Sequence, residues 1–178
     1  FLPNQKTLMS WDTQILLFAA TLRSEGLDCF FRGVTWLGSL YVLTPITALI
    51  SVILLYLHKR AEVLLLLVGF GGATLLVHLA KAILDRPRPS VMEPLVVLPT
   101  DSSFPSAHTT HMVAFALCMA LIVRRISPEW QFAAIAVALM LTVAVATSRI
   151  YLQVHFPSDV LAGIILGIGW VALAQKFL

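Results

Sequence analysis

The stretch VLLLLVGFGGATLLVHLAKAILDRPRP, Val63 to Pro89, decides the fold. Its apolar part, Val63–Leu84, is long enough to cross a bilayer, which takes about 20 mostly apolar residues. The run ends in charges and in two prolines, Pro87 and Pro89, which cannot continue a helix. The stretch therefore predicts a membrane-spanning helix that carries charge at one end.

The composition agrees with a lipid environment. Of the 178 residues, 59% are hydrophobic and only 12% are charged, which is far from the balance of soluble domains. The net charge is +3 and the basic residues are scattered. Nucleic acid is therefore not an expected partner.

Five apolar runs have the length of a membrane helix. They are Trp36–Leu57, Val63–Leu84, Phe104–Val123, Trp130–Thr147 and Phe156–Gln175. Short connections between them predict an all-α, antiparallel membrane bundle over residues 36–177, within a single domain that covers residues 1–178. The segment Thr7–Arg32 is too interrupted by charge to span, and we expect one or two amphipathic helices lying in the interface. A re-entrant or buried helix is the alternative for this segment.

Charged residues between the spans indicate the orientation. One side carries Lys59, Arg60, Arg124, Arg125 and Lys176. Because basic loops face the cytoplasm, this side is expected to be cytoplasmic. A sixth span before Phe1 would then bring the N-terminus to the same side. The opposite side carries Lys81, Arg86, Arg88, Arg149 and His155, which goes against the rule and requires another explanation.

The first polar cluster is KAILDRPRP, Lys81 to Pro89. Lys81 lies within the apolar run, where an ionisable group is costly. The residue before a proline avoids the helical region, so Arg86 and Arg88 are expected to be extended and to turn back over the helix end. A snorkelling lysine followed by an ordinary basic loop is the alternative.

The second cluster is SFPSAH, Ser103 to His108. A proline between serines predicts a helix start with Pro105 in its first turn. The free N–H groups of such a helix end bind anions, Ser106 adds a hydroxyl donor, and His108 lies one turn in. A capped helix with a surface histidine is the alternative.

The third cluster is SRIYLQVHFPSD, Ser148 to Asp159. Ser148 and Arg149 end the fourth span, and Pro157 is expected to begin the fifth. Asp159 then falls in the first turn, where its carboxylate can accept a hydrogen bond from one ring nitrogen of His155 and leave the other nitrogen free. A salt bridge that holds two helices together is the alternative.

An antiparallel bundle brings these three clusters to one membrane face. Two helix N-termini, three cationic side chains and two histidines would then converge there. Arginine forks and a lysine point charge suit a doubly charged phosphate. The sequence thus predicts a phosphate site at the membrane surface.

The three clusters together resemble the signature of the type-2 phosphatidic acid phosphatase superfamily, the lipid phosphate phosphatases. The matching residues are Lys81, Arg88 and Pro89, then Pro105, Ser106 and His108, then Ser148, Arg149, His155 and Asp159. Two features depart from the family pattern. Ala107 stands where the family usually has glycine, and five spans are visible where membrane members usually have six.

The resemblance implies a role for each residue. His155 would attack phosphorus, Asp159 would orient it, and His108 would protonate the leaving oxygen and later activate water. Oxygens of the phosphoryl group would be held by Lys81, Arg88, Ser106, Arg149 and either Ser148 or the N–H of Ala107. No metal or other cofactor is implied.

By the same resemblance, the substrate is a lipid phosphate such as phosphatidylglycerol phosphate, undecaprenyl diphosphate, phosphatidic acid or a lipid A phosphate. We expect a protein of the bacterial cytoplasmic membrane with its site facing the periplasm or cell exterior. Gly163 and Gly167 predict close helix packing within the bundle, or alternatively a homodimer face.

Three other functions are considered. A phosphotransferase would use the same phosphohistidine with an acceptor in place of water. A metal-dependent hydrolase would use His108, His111, His155 and Asp159 as ligands, although crowded cations disfavour a metal. A transporter would need polar residues at several depths, and the charges cluster at one face. His78 and His111 are expected to be satisfied polar residues between helices.

Overall fold

The computed structural model describes residues 10–178, and all regular structure in that range is helical. Residues 7–9 of the predicted interfacial segment lie outside the described range. The α-helices are α1 (Trp11–Thr21), α2 (Glu25–Val34), α3 (Leu40–Tyr56), α4 (Arg60–Ile83), α5 (Ala107–Ile126), α6 (Gln131–Tyr151) and α7 (Pro157–Gln175). Short 3-10 helices at Thr35–Gly38 and Pro128–Trp130 precede α3 and α6.

Within residues 10–178, four helical segments are long and apolar enough to cross a membrane by themselves. They are α4, α5, α7 and the continuous segment Pro128–Tyr151. A fifth span results if Glu25–Gly38 and Leu40–Tyr56 are counted together, with a bend of 46° between them. The prediction of an all-α membrane bundle with five spans is confirmed in this form.

The first predicted span does not begin at Trp36. Ser39 has an extended backbone, and its side chain accepts a hydrogen bond from the N–H of Tyr41 at 3.2 Å, so the helix begins at Leu40. The preceding 3-10 helix lies very close to α5, since a Cβ added to Gly38 would be 2.7 Å from the carbonyl oxygen of His108. This contact holds the residues before α3 against the helix that carries His108.

Two further boundaries differ from the sequence prediction. The third span begins at Ala107 rather than Phe104, because Ser106 is the non-helical N-cap, and Pro105 lies before the helix instead of in its first turn. The fourth span continues to Tyr151 rather than ending at Thr147. The buried Arg149 is therefore part of the last helical turn. Pro157 begins the fifth span, as predicted.

The bundle is built around α5, which is the most buried of the spans. A Cβ added to Gly163 of α7 would lie 2.8 Å from the carbonyl oxygen of Ser106, and one added to Gly167 would lie 2.9 Å from a methyl carbon of Val113. Both glycines thus allow α7 to approach α5 closely, as small residues do in membrane bundles. This packing brings the N-termini of α5 and α7 together.

The two N-terminal helices lie across the same end of the bundle. Trp11, Phe18 and Phe30 expose large apolar surfaces, whereas Asp12 is buried against α7. Tyr151 at the end of α6 donates a hydrogen bond to Asp28 of α2 at 2.6 Å. Insertion of the exposed aromatic side chains into the membrane interface stays a prediction.

Candidate active site

A cavity of about 190 Å³ opens at the end of the bundle where the three polar clusters were expected to meet. Its walls come from the start of α3, the end of α4, the start of α5 and the junction of α6 with α7. The lining residues are Ser39, Leu40, Tyr41, His78, Lys81, Arg88, Pro99, Asp101, Ala107, His108, His111, Arg149 and His155. Five residues that were predicted to bind phosphate or to take part in its transfer therefore line one cavity, together with Ala107. These residues are distant from one another in the sequence.

The first cluster has the predicted backbone. Lys81 lies in the last turn of α4 and is buried, and the chain from residue 84 to residue 90 has no regular structure. Arg88 turns back over the helix end and donates to the carbonyl oxygen of Val154 at 3.0 Å and to that of Pro99 at 3.1 Å. These bonds hold its guanidinium beside His155.

A carboxylate that the sequence reasoning did not use lies between the two cations. Asp101 contacts Lys81 Nζ at 3.0 Å through Oδ2, and its Oδ1 accepts a short hydrogen bond from Arg88. Burial by itself would raise the pKa of Asp101, but the hydrogen bonds from Lys81 and Arg88 outweigh it and hold that pKa below its usual value. Asp101 thus presents oxygens to the same two groups that were predicted to bind phosphate.

The second cluster forms the N-terminus of α5. Ala107 and His108 line the cavity, so the first turn of the helix faces it. Ser106 is fully buried next to the cavity wall, and its hydroxyl lies 3.0 Å from that of Thr109. Ser106 has the non-helical backbone of an N-cap residue, and it does not line the cavity.

Arg149 and Ser148 of the third cluster are neighbours in the sequence but have different surroundings in the structure. Arg149 lines the cavity, is 4% exposed and donates from Nη1 to the hydroxyl of Thr35 at 2.5 Å. Its Nε is buried and has no hydrogen-bond partner in the described part of the chain. Ser148 is fully buried, and its hydroxyl donates to the carbonyl oxygen of Val145 at 2.6 Å. The structure therefore does not place Ser148 in the cavity wall.

His155 and Asp159 are paired across the start of α7. Nδ1 of His155 lies 3.5 Å from Oδ2 of Asp159, a long contact that does not meet the geometry of a hydrogen bond, and this nitrogen has no other partner within residues 10–178. Burial, with a smaller contribution from the nearby guanidinium groups of Arg149 and Arg88, lowers the pKa of His155 to about 4. The imidazole is therefore neutral at physiological pH, which is the form a nucleophile needs.

Asp159 is held by several donors. Its Oδ2 accepts from the hydroxyl of Ser103 at 2.6 Å and from the N–H of Phe156 at 2.9 Å. Its Oδ1 accepts from Nη1 of Arg86 at 2.5 Å. Ser103 belongs to the loop before α5, so the carboxylate joins the first and second clusters to the third. Its position is fixed even though its contact with His155 is long.

Arg86 extends this network to the N-terminal segment. Its Nη2 donates to Oδ2 of Asp12 at 3.0 Å, and its guanidinium lies 4.4 Å from the ring centre of Phe156. Asp12 also accepts from the N–H of Ser158 at 2.8 Å, at the first turn of α7. The sequence analysis predicted an extended backbone at Arg86 and noted its charge on the unexpected side of the membrane, but assigned it no role in the site. Its partner Asp12 is distant in sequence and gave no signal.

His78 and His111, which were predicted to be satisfied polar residues between helices, also line the cavity. The two rings are stacked, with centres 5.6 Å apart and planes inclined by 18°. Nε2 of His111 is buried and lacks a hydrogen-bond partner among the residues that the structure describes. In the same range, no group of three or more His, Cys, Asp or Glu side chains is arranged to hold a metal ion.

Comparison with known proteins supports the assignment that the motifs suggested. The sequence model of the PAP2 superfamily matches residues 62–178. Phosphatidylglycerophosphatase B of Bacillus subtilis (strain 168) is 31% identical over 177 residues, which cover 98% of this chain and 86% of the relative. Undecaprenyl-diphosphatase of Sulfolobus acidocaldarius is 32% identical over 139 residues, which cover 76% of this chain and 62% of the relative.

The fold is also that of a solved structure. The crystal structure of a transmembrane PAP2-type phosphatidylglycerolphosphate phosphatase from Bacillus subtilis superposes with a TM-score of 0.85 at 30% identity. The match covers 93% of this chain and 83% of the other.

Proposed function

Because the chain belongs to the PAP2 superfamily of membrane lipid phosphatases, we propose that it releases phosphate from a lipid phosphate through a phosphohistidine formed on His155. The observation that carries this proposal is the shared cavity. The neutral imidazole of His155, His108 and three cationic side chains line a single space at one end of the helical bundle. Such a cavity suits phosphoryl transfer, which depends on positioning and on charge neutralisation.

In the first step, a lone pair on His155 attacks phosphorus. Because Nδ1 faces Asp159, the attacking atom is Nε2, and the carboxylate stabilises the positive charge that develops on the ring. The nitrogen–phosphorus bond forms as the bond to the lipid oxygen breaks. His108, which is protonated when the phosphate dianion is bound, gives one proton to that oxygen and becomes neutral, so the lipid leaves as a neutral alcohol.

In the second step, water replaces the lipid. His108, now without its proton, removes a proton from water, and the water oxygen attacks phosphorus. The nitrogen–phosphorus bond breaks, His155 becomes neutral again, and inorganic phosphate is released. The two histidines thus return to their starting protonation states, and no metal ion takes part.

The phosphoryl oxygens are neutralised by Lys81, Arg88 and Arg149, with the N–H of Ala107 at the start of α5. The unpaired Nε of Arg149 gives this side chain a donor that no described residue uses. The hydroxyl of Ser106 contacts that of Thr109, and the hydroxyl of Ser148 donates to the carbonyl oxygen of Val145, so neither serine is assigned to the phosphate. Asp101 must move from Lys81 and Arg88 when substrate binds, because a dianion and a carboxylate cannot share these cations.

The cavity is proposed to face the extracytoplasmic side. Lys59, Arg60, Arg124 and Arg125 lie at the opposite ends of the helices, where basic residues indicate the cytoplasm. A bacterial cytoplasmic membrane with the site at its outer leaflet agrees with this distribution. The lipid chain would remain among the apolar helices while the phosphate enters the cavity.

The test is chemical trapping of the intermediate. Purified protein in detergent is mixed with a lipid phosphate carrying ³²P and then denatured in base, in which phosphohistidine survives. We expect label on the wild type, none on His155→Ala, and label that both forms and decays more slowly on His108→Ala, because His108 acts in both steps. Release of phosphate should persist in chelator.

His58→Asn is the matched control, since His58 is an exposed histidine at the opposite end of the bundle. This variant should be labelled like the wild type. Label or wild-type turnover in His155→Ala would show that the nucleophile is another group. Complete loss of activity in chelator would instead show that a metal ion takes part.

A further inference from the structure

Two histidines continue the cavity beyond the phosphate-binding groups. His78 precedes Lys81 by three residues on α4, and His111 follows His108 by three residues on α5. Three residues along a helix correspond to about 4.5 Å. Because α4 and α5 are antiparallel, both histidines are displaced in the same direction, one turn deeper into the membrane.

The proposed reaction places the leaving group beside this deeper pair. In the proposed reaction, His108 protonates the oxygen that leaves phosphorus, so the rest of the alcohol extends past His108. The side chains that follow along the cavity wall are those of His78 and His111, whose rings are stacked. These two imidazoles are therefore polar groups placed to contact the alcohol next to its phosphate, as are the side chains of Ser39 and Tyr41 in the same lining.

Backbone carbonyls decide which nitrogen of each ring carries the proton. Nδ1 of His78 lies 2.8 Å from the carbonyl oxygen of Thr74, and Nδ1 of His111 lies 3.4 Å from that of Gly38. A carbonyl oxygen only accepts, so each Nδ1 must be the donor. In a neutral imidazole the remaining Nε2 is then an acceptor.

The pair thus offers acceptors rather than donors. Nε2 of His111 is buried without a partner in the described chain, and a buried acceptor in that state is costly until a donor reaches it. The classes of lipid phosphate differ in what they can supply there. A lipid diphosphate presents the oxygens of its second phosphate, and phosphatidic acid presents ester oxygens, which only accept. A glycerol or sugar headgroup presents hydroxyl donors.

We infer that the His78–His111 pair is a leaving-group subsite that accepts hydrogen bonds from hydroxyl groups of the substrate's headgroup. The preferred substrate is therefore the phosphate monoester of a polyol-headed lipid, either a glycerol or a sugar. This inference rests on the proposed phosphatase function and assigns part of its specificity. In the competing arrangement, both rings are protonated and donate hydrogen bonds to the second phosphate of a lipid diphosphate.

The experiment compares kcat/KM for four substrates with the full chain in detergent. They are a short-chain phosphatidylglycerol phosphate, its analogue with propanediol in place of glycerol, a prenyl phosphosugar phosphate and farnesyl diphosphate. For the wild type we expect the loss of the glycerol hydroxyl to lower kcat/KM about three- to tenfold, the usual effect of one hydrogen bond. The sugar arm shows whether ribose-like hydroxyls serve as well as glycerol.

Variants then assign the effect to the pair. In His111→Leu the ratio of the glycerol substrate to its propanediol analogue should fall towards one. His111→Gln, whose amide oxygen can replace the acceptor, should restore part of the ratio. If His111→Leu folds poorly, His78→Leu provides a second test of the same ratio, because it changes the exposed member of the pair. His58→Asn, outside the cavity, should keep the wild-type ratio.

The outcomes separate this inference from the function on which it rests. In the wild type, equal kcat/KM for phosphatidylglycerol phosphate and its propanediol analogue would overturn the subsite. A selective loss of farnesyl diphosphate hydrolysis in the variants would also overturn it and assign the pair to a second phosphate. No phosphate release from any of the four substrates would overturn the phosphatase proposal and the subsite together.

Discussion

Replacing Asp101 by Asn tests whether this carboxylate competes with substrate for the phosphate-binding cations. Its two oxygens contact Lys81 and Arg88, and the aspartate itself is 46% exposed while the two cations are almost fully buried. The substitution keeps the size of the side chain and removes its charge. An incoming dianion then no longer has to displace a bound carboxylate.

The magnitude follows from the exposure of the pair. Ion pairs with a solvent-exposed partner contribute about 0.2–1 kcal/mol each, because water screens them. Two such pairs give about 0.4–2 kcal/mol, and about 1.4 kcal/mol corresponds to a tenfold change in affinity. Vanadate and inorganic phosphate should therefore bind about 2- to 25-fold more tightly to Asp101→Asn than to the wild type.

The assay is competitive inhibition of lipid phosphate hydrolysis by each anion. Glu93→Gln is the matched control, since it removes a carboxylate from an exposed position of the same loop outside the cavity. Because the pKa of Asp101 lies below its usual value, the carboxylate stays charged and the difference between variant and wild type should be equal at pH 6.5 and pH 8. Weaker inhibition in Asp101→Asn would refute the competition and show that the carboxylate orients the cations.

Three further outcomes are expected. Arg86→Lys should lower kcat about tenfold or more with little change in KM, because an ammonium cannot bond Asp12 and Asp159 at once as the guanidinium does. An equal change in kcat and KM would instead show that Arg86 acts in substrate binding. As pH falls from about 6.5 to about 4, the melting temperature of the wild type should drop relative to that of His155→Asn. The reason is that the imidazole of His155 takes up a proton in the unfolded chain before it does so in the folded protein, where it is buried. Parallel plots of melting temperature against pH for the two proteins would contradict the lowered pKa of His155. Gly163→Ala should lower the melting temperature because its Cβ would meet the Ser106 carbonyl oxygen at 2.8 Å, whereas Gly169→Ala has open space and should not.

Much of the fold followed from local properties of the chain. The length of each apolar run predicted the spans, and the prolines at positions 87 and 157 predicted where α4 ends and α7 begins. Other helix ends were predicted less well, including the start of α5, where Pro105 lies before the helix. The fourth span was predicted to end at Thr147 to Arg149, yet the helix continues to Tyr151, and the side chain of Arg149 lines the cavity.

The sequence alone determined which residue types could serve a phosphate, and their order along the chain pointed to a single site. Only the tertiary structure decided which of them reach the cavity. Ser148 and Arg149 are adjacent, but helical geometry turns one towards Val145 and the other towards the cavity. Asp101, Arg86 and Asp12 acquire their partners through contacts between distant segments, and no spacing in the sequence encodes those contacts.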